Sequence, residues 1–144
     1  MGFTPGQQNR NGFNKPLQTI FQDFMADCVF SDDHTAQQIM EIYFTPDFSE
    51  EIDGRHLSHD IFQRRIGRMR QDTEVEEQDF VEMTEDGDRI FTMHYTRGKS
   101  LVSGQHFEIR AIAFFRFDGK RIKKGYLNSV TLGDPSDADF ASHS

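Results

Sequence analysis

QHFEIRAIAFFRFDGKRIKKGYLNSVTL, residues 105–132, is the stretch on which the fold turns. Gln105 to Phe117 and Arg121 to Leu132 are rich in Phe, Ile, Val and Tyr, and Asp118-Gly119-Lys120 between them is a hairpin signal. In the first run Phe107, Ile109, Ala111, Ala113, Phe115 and Phe117 share one face, while Ile112 and Phe114 make the other face apolar too. A sheet that is greasy on both sides must be covered on both.

Working backwards, Glu74 to Thr84 and Arg89 to Arg97 carry the same two-residue period. Glu85-Asp86-Gly87-Asp88 and Gly98 to Gly104 break the runs, so four strands form an antiparallel meander. Before Asp72 the period is helical. Leu17, Ile20, Phe21, Phe24, Met25 and Cys28 make one stripe, with Asn14 as N-cap, Pro16 in the first turn and an end near Phe30. Ser31-Asp32-Asp33 offers caps for a second helix carrying Ile39, Met40, Ile42 and Tyr43, stopped by Thr45-Pro46. Phe48 to Asp53 reads as a short strand turned by Gly54. Ser58 then caps a third helix with Ile61, Phe62, Ile66 and Met69 on its apolar side and Arg64, Arg65, Arg68 and Arg70 on the other. That basic face is expected to pair with the acidic strand Glu74-Val75-Glu76-Glu77.

Helices first and strands second is the α+β order. The helices cover one face of the sheet, and with no helix left for the second face the pattern predicts a homodimer through the outer sheet face. Residues 1–13 are expected to be a flexible arm and residues 134–144 a flexible tail, with a single domain over 14–133.

Composition narrows the function classes. The chain has 144 residues, with 16 basic against 24 acidic, a net charge of -8 that argues against a phosphate-tracking surface, so no nucleic acid is expected as partner. Mean hydropathy is -0.68 and no run approaches a bilayer span, so no membrane partner is expected either. No secretory pattern precedes the first helix, which gives a cytoplasmic expectation. Cys28 is alone, so no disulfide or thiolate-rich metal site can form within the chain. No phosphate loop, nucleophile elbow or third ligand for His56 and His59 is visible, and neither a metal nor a cofactor is expected. The core must be built from phenyl rings: there are 15 Phe, 3 Tyr and no Trp.

Tyr43-Phe44-Thr45-Pro46-Asp47-Phe48, Gly87-Asp88-Arg89-Ile90 and Phe115-Arg116-Phe117-Asp118-Gly119-Lys120, in this order over residues 14–134, resemble the SnoaL-like branch of the nuclear-transport-factor-two-like superfamily. The resemblance implies an α+β cone, three N-terminal helices packed on a curved, antiparallel, mainly four-stranded sheet. It also implies a ligand cavity inside and dimerisation outside. That superfamily includes ketosteroid isomerase, limonene epoxide hydrolase, scytalone dehydratase and polyketide cyclases beside many binding proteins. Matching positions puts Ala113 where the isomerase holds a buried neutral Asp, and Arg89 on the hydrolase's arginine. Phe91 and Leu127 then fall where that enzyme has acids. The known acid–base sets are therefore not reproduced.

By the same matches Arg89, Phe91, Met93 and Tyr95, then Ile109, Ala111, Ala113 and Phe115, then Gly125, Leu127 and Ser129 point inward. With Phe24 and Tyr43 from the helices, the expected ligand-binding wall is Phe24, Tyr43, Arg89, Phe91, Met93, Ala113, Phe115, Leu127 and Ser129. The short strand offers Glu50, Glu51 and Asp53. Glu51, one register step from the isomerase's base, and Asp27, near its helix-one tyrosine, are the candidate bases, with Tyr95 as partner donor. Against these stand plainer readings: Glu51 solvated, Asp27 paired with a neighbour at the stripe's border, Tyr95 in the core. His94 is expected to face outward, towards the second subunit. The function read from sequence is binding of a small hydrophobic molecule, with a cofactor-free lyase, isomerase or cyclase as the alternative.

Overall fold

The computed structural model describes residues 16–133. The expected arm, tail and Asn14 cap lie outside the described residues. Helix α1 is Leu17–Val29. Pro16 stands at its N-cap with φ −58° and no side-chain cap, two residues further along the chain than the cap expected at Asn14. Leu17, Ile20, Phe21, Phe24 and Cys28 are its buried stripe. Helix α2 is Ala36–Tyr43, and it is Thr35 that caps it: the Thr35 hydroxyl accepts from Gln38 N–H while the Gln38 side chain accepts from Thr35 N–H. The Ser31 hydroxyl is spent on the turn, accepting from the backbone N–H of Asp33.

Strand β1 follows without a break as Phe44–Ile52, longer than the expected segment and running through Thr45-Pro46. Asp53-Gly54, both at positive φ, turn it into β2, Arg55–Ser58. Ser58 caps α3, His59–Asp72, as expected, its hydroxyl accepting from Ile61 N–H. The meander is β3 (Thr73–Asp86), β4 (Arg89–Ser100), β5 (His106–Asp118) and β6 (Arg121–Leu132). One six-stranded sheet has the order β2-β1-β6-β5-β4-β3. Only β1 with β6 is parallel, so the sheet is mixed, with the expected four-stranded meander as its greater part.

The three helices pack against one face of this curved sheet and give the α+β cone. Between them lies a chain of phenyl rings: Phe21 against Phe115 (4.8 Å), Phe24 edge-on to Phe44 (4.9 Å), Phe44 to Phe48 (4.4 Å) and Phe48 to Phe62 (5.1 Å). Offset and edge-on pairs of this kind add to area burial, and the rings pack with the buried Leu17, Ile20, Ile39, Ile52, Ile66 and Ile90 to make the core.

Arg70 is not part of a solvated face. Its guanidinium donates to the carbonyls of Cys28 (2.9 Å), Asp27 (2.7 Å), His34 (2.6 Å) and Ser31 (3.3 Å), the unpaired end of α1 and the turn after it. The acids of β3 pair elsewhere too: Glu77 with Arg97 (3.2 Å), Glu74 with Lys99 (3.8 Å), Glu76 with His106 (3.9 Å). β3 is the long free edge of the sheet, and Glu74, Glu76, Glu77, Asp79, Glu82, Glu85 and Asp86 stud it.

On the face away from the helices, Phe91, Phe114 and Tyr126 form one row across β4, β5 and β6, stacked at 4.9 Å and 5.9 Å. Phe91 is 49% exposed, Tyr126 41% and neighbouring Ile112 56%.

Candidate functional site

Register fixes which side chains enter the cone, because directly paired residues share a face. Ala111, Ala113 and Phe115 point inward, and β4 pairs His94 with Ala111, Thr92 with Ala113 and Ile90 with Phe115. The inner face of β4 is therefore Ile90, Thr92 and His94. The inward orientation expected of Arg89, Phe91, Met93 and Tyr95 is reversed: these four stand on the outer face, Arg89 and Phe91 exposed. The physical reason is that the more apolar set of this strand builds the outer aromatic row. Tyr95 lies under the Arg97 guanidinium, 5.3 Å from its ring centre. His94, expected outside, is buried against Phe21 and Phe80.

The same parity decides between the carboxylates of β1. Phe48, Glu50 and Ile52 face inward, and Glu51 faces outward and is exposed. Glu50 is 2% exposed, and its Oε1 has no hydrogen-bond partner among the described residues. Burial pushes its carboxyl up to about 8, and the positive charge of Arg65 on α3, pulling the other way, is the smaller effect. Its neighbours in register are Leu57 on β2 and Gly125 on β6, with Phe115 next to Gly125 on β5. A carboxyl here sits in an apolar box and is held largely protonated at neutral pH.

A second group of polar side chains closes the other end of α1. Asp27 accepts from Nδ1 of His34 (2.8 Å) and from the Tyr43 hydroxyl (3.2 Å), and the Tyr43 ring meets Phe24 at 5.7 Å. Burial first, then the Asp27 charge, raises the Tyr43 hydroxyl well above the usual phenol range. The structure thus brings together Asp27, Tyr43 and Phe24 of the expected set, and groups Ala113, Phe115 and Leu127 on the sheet's inner wall. Ser129 is committed: its hydroxyl and N–H both donate to the Asp53 carboxylate at 2.6 Å. Asp27 and Glu50 belong to separate surroundings, and neither has Tyr95 beside it.

Clefts open on the described surface, among them two with polar side chains in their lining. One is lined by Cys28, Met69, Arg70, Thr73, Val75 and Leu101, the other by Pro46, Ser49, His56, Ser58, His59 and Asp60. In the second, His59 Nδ1 lies 3.2 Å from Asp60 Oδ1, and among the described residues no cluster of three or more ligating side chains is placed to hold a metal. No helix of the described residues is long and apolar enough to cross a membrane.

With this geometry in place, solved structures can be set beside the chain. IdmH of Streptomyces antibioticus, a candidate polyketide cyclase, superposes with a TM-score of 0.67 at 11% identity, covering 87% of this chain and 98% of that one. A protein with a ketosteroid isomerase-like fold from Catenulispora acidiphila gives 0.61 at 13% identity, over 75% and 82% of the two chains. A candidate SnoaL-like polyketide cyclase from Mesorhizobium loti gives 0.58 at 11% identity, over 78% and 97%. The chain has the SnoaL-like, ketosteroid isomerase-like fold. No family model matches the sequence, and no curated protein matches it. At these identities the likeness is one of architecture, the nuclear-transport-factor-two-like cone expected from the sequence.

Within that cone, sequence reasoning passed over three inner residues. Glu50 was legible, because it shares the phase of Phe48 and Ile52. His94 and Thr92 had a signal as well, since Ile90 shares their parity, but the greasier alternate set outweighed it.

Proposed function

We propose that this chain binds a small, uncharged, largely apolar molecule inside its cone, and that Glu50 is the polar contact for it. The observation that supports this is the Oε1 of Glu50, buried and without a partner. Native proteins rarely leave a buried polar atom unsatisfied, and they retain such groups where a ligand or a reaction uses them. Protonated Glu50 offers one O–H donor and a carbonyl acceptor without bringing a charge into the apolar interior. The wall around it is Phe115, Gly125 and Leu57, which suits a hydrophobic body. The ligand-binding unit is residues 14–133.

The alternative is a cofactor-free isomerase, lyase or cyclase working by acid–base chemistry. One observation favours it: a carboxyl at about 8 is poised close to neutral pH, where a general base or acid works best. Glu50 would take a proton from carbon next to a carbonyl and return it elsewhere on the same molecule.

We further propose that two copies pair through the row Phe91, Phe114 and Tyr126. The stacked row supports it, with Phe91, Tyr126 and neighbouring Ile112 exposed around half-buried Phe114, a contiguous apolar patch of the kind that marks an interaction site. A cytoplasmic location belongs to the same reading, and the lone buried thiol of Cys28 suits it.

Thermal melting against a panel of neutral aromatic and alicyclic ketones and phenols tests binding, since a molecule held only by the folded state raises the midpoint. The expected result is stabilisation of the native chain that weakens in Glu50→Gln. Stabilisation identical in both would remove Glu50 from the site. Exchange of the α-protons of cyclohexanone in heavy water, followed by NMR, separates the two readings: catalysed exchange lost in Glu50→Gln favours chemistry, and binding without exchange favours carriage.

A further inference from the structure

We infer that the inner face of β4 carries a second polar contact, formed by Thr92 and His94, that recognises a hydroxyl group on the apolar molecule the cone holds. The inference rests on the reading that the interior takes a ligand, and it adds which kind.

Among the described residues the buried polar or charged ones are few: Thr45, Glu50, Thr92 and His94. Thr45 is accounted for by its bond to Asp47 (2.8 Å), near the surface. Thr92 and His94 are adjacent on one face, and their one mutual contact is Thr92 Oγ1 to His94 Nδ1 at 3.4 Å. Among the described residues Nε2 of His94 makes no hydrogen bond. The ring is otherwise enclosed by Phe21 (6.3 Å between ring centres) and Phe80 (5.4 Å). Across the sheet its neighbours are small, Ala111 beside His94 and Ala113 beside Thr92, where the row containing Glu50 has Phe115. Thr92 and His94 thus place two polar side chains side by side on an otherwise apolar inner wall.

The chemistry selects the ligand group. Burial alone pushes His94 down to about 4, so at neutral pH the imidazole carries no charge and has no electrostatic call on an anion. If the Thr92 hydroxyl donates to Nδ1, Nε2 is an N–H donor; if Nδ1–H donates to Thr92 Oγ1, Nε2 is a bare acceptor. A hydroxyl satisfies either tautomer, whereas a carbonyl satisfies one. His94 and Glu50 stand three strands apart in the order β4-β5-β6-β1 and in different rows, so they would hold opposite ends of one molecule. The class is an uncharged ring compound bearing a hydroxyl, a phenol or an alicyclic alcohol.

The test compares naphthol with naphthalene, two probes of one shape, by the fluorescence of the probe itself; the chain's lack of Trp keeps the signal clean. The native protein is expected to bind naphthol about tenfold more tightly than naphthalene, the usual yield of one buried hydrogen bond. His94→Phe should bring that ratio to about one while naphthalene binding persists, and the isosteric Thr92→Val should lower it part of the way. Should His94→Phe fail to fold, Thr92→Val carries the result. A ratio unchanged in the variants, or no preference in the native protein, overturns the subsite while leaving interior binding intact. Loss of the preference in Glu50→Gln but not in His94→Phe would hand the hydroxyl to Glu50 and equally overturn it. If neither probe binds, the reading of the interior as a binding site falls first and takes the subsite with it.

Discussion

The Glu50 carboxyl rests on the bare backbone of Gly125: a Cβ at that glycine would come within 2.9 Å of Oε1 and 2.7 Å of the Phe115 ring. The glycine is required for close approach, since its φ is not among the positive ones. Gly125→Ala should therefore cost about 1–3 kcal/mol of stability, the range for overpacking a tight core, as read by urea unfolding. A change below the error of the fit would mean that Phe115 and Glu50 can move aside.

Glu50 and His94 set opposite slopes on stability against pH. The folded carboxyl keeps its proton up to about 8 while the unfolded one loses it near 4.5, so the native state binds more protons in that window and stability falls as pH rises through it. The folded imidazole stays neutral down to about 4 while the unfolded one charges near 6.5, so stability falls as pH drops from 6.5 to 4. Where the windows overlap the slopes offset each other. Above 6.5 Glu50 acts alone, and Glu50→Gln should flatten the decline towards pH 8, recovering on the order of 2 kcal/mol by chemical denaturation. A decline that survives in Glu50→Gln would assign it to other groups.

Arg70→Ala strips the carbonyls of Asp27, Cys28, Ser31 and His34 of a shared donor. A loss of about 3 kcal/mol is expected by thermal or urea unfolding. Arg70→Lys should restore less than half of it, because an ammonium cannot span the fork that reaches four acceptors. Full rescue by Lys would show that charge alone is what matters there.

Phe114 is the middle ring of the outer row, 4.9 Å from Phe91 and 5.9 Å from Tyr126. Light scattering on a sizing column should find a dimer for the native chain and a monomer for Phe114→Glu, with little change in far-UV dichroism. A native monomer at high concentration would refute the pairing.

Asp27→Asn removes the charge that helps to raise Tyr43. Spectroscopic titration of the tyrosines should show Tyr43 ionising at lower pH in the variant, with about 1 kcal/mol of stability lost along with the His34 contact.

How far the sequence could be read depends on how far apart the deciding residues lie. The meander was legible because each turn announces itself locally, as Asp118-Gly119 does with Gly119 at positive φ. Ser58 was legible as a cap for the same reason. The phase of β4 was not, because Phe91, Met93 and Tyr95 outweigh Ile90, Thr92 and His94 in hydrophobicity, and only pairing with Ala111 and Ala113 shows which set goes inside. Between Glu50 and Glu51 the choice turned on one residue of register, which Phe48 and Ile52 could have settled. The Arg70 clamp was out of reach: its bond to Cys28 joins positions 42 apart, and no local pattern encodes it.

The free margin of the sheet has a consequence for the protein in bulk. A fourteen-residue strand with one edge unpaired is ordinarily an invitation to stack, chain upon chain, into fibrils. On β3 every such addition would bring rows of carboxylates into register with their own kind, so mutual repulsion makes the protein hard to seed into amyloid at neutral pH and easier as the acids are titrated away.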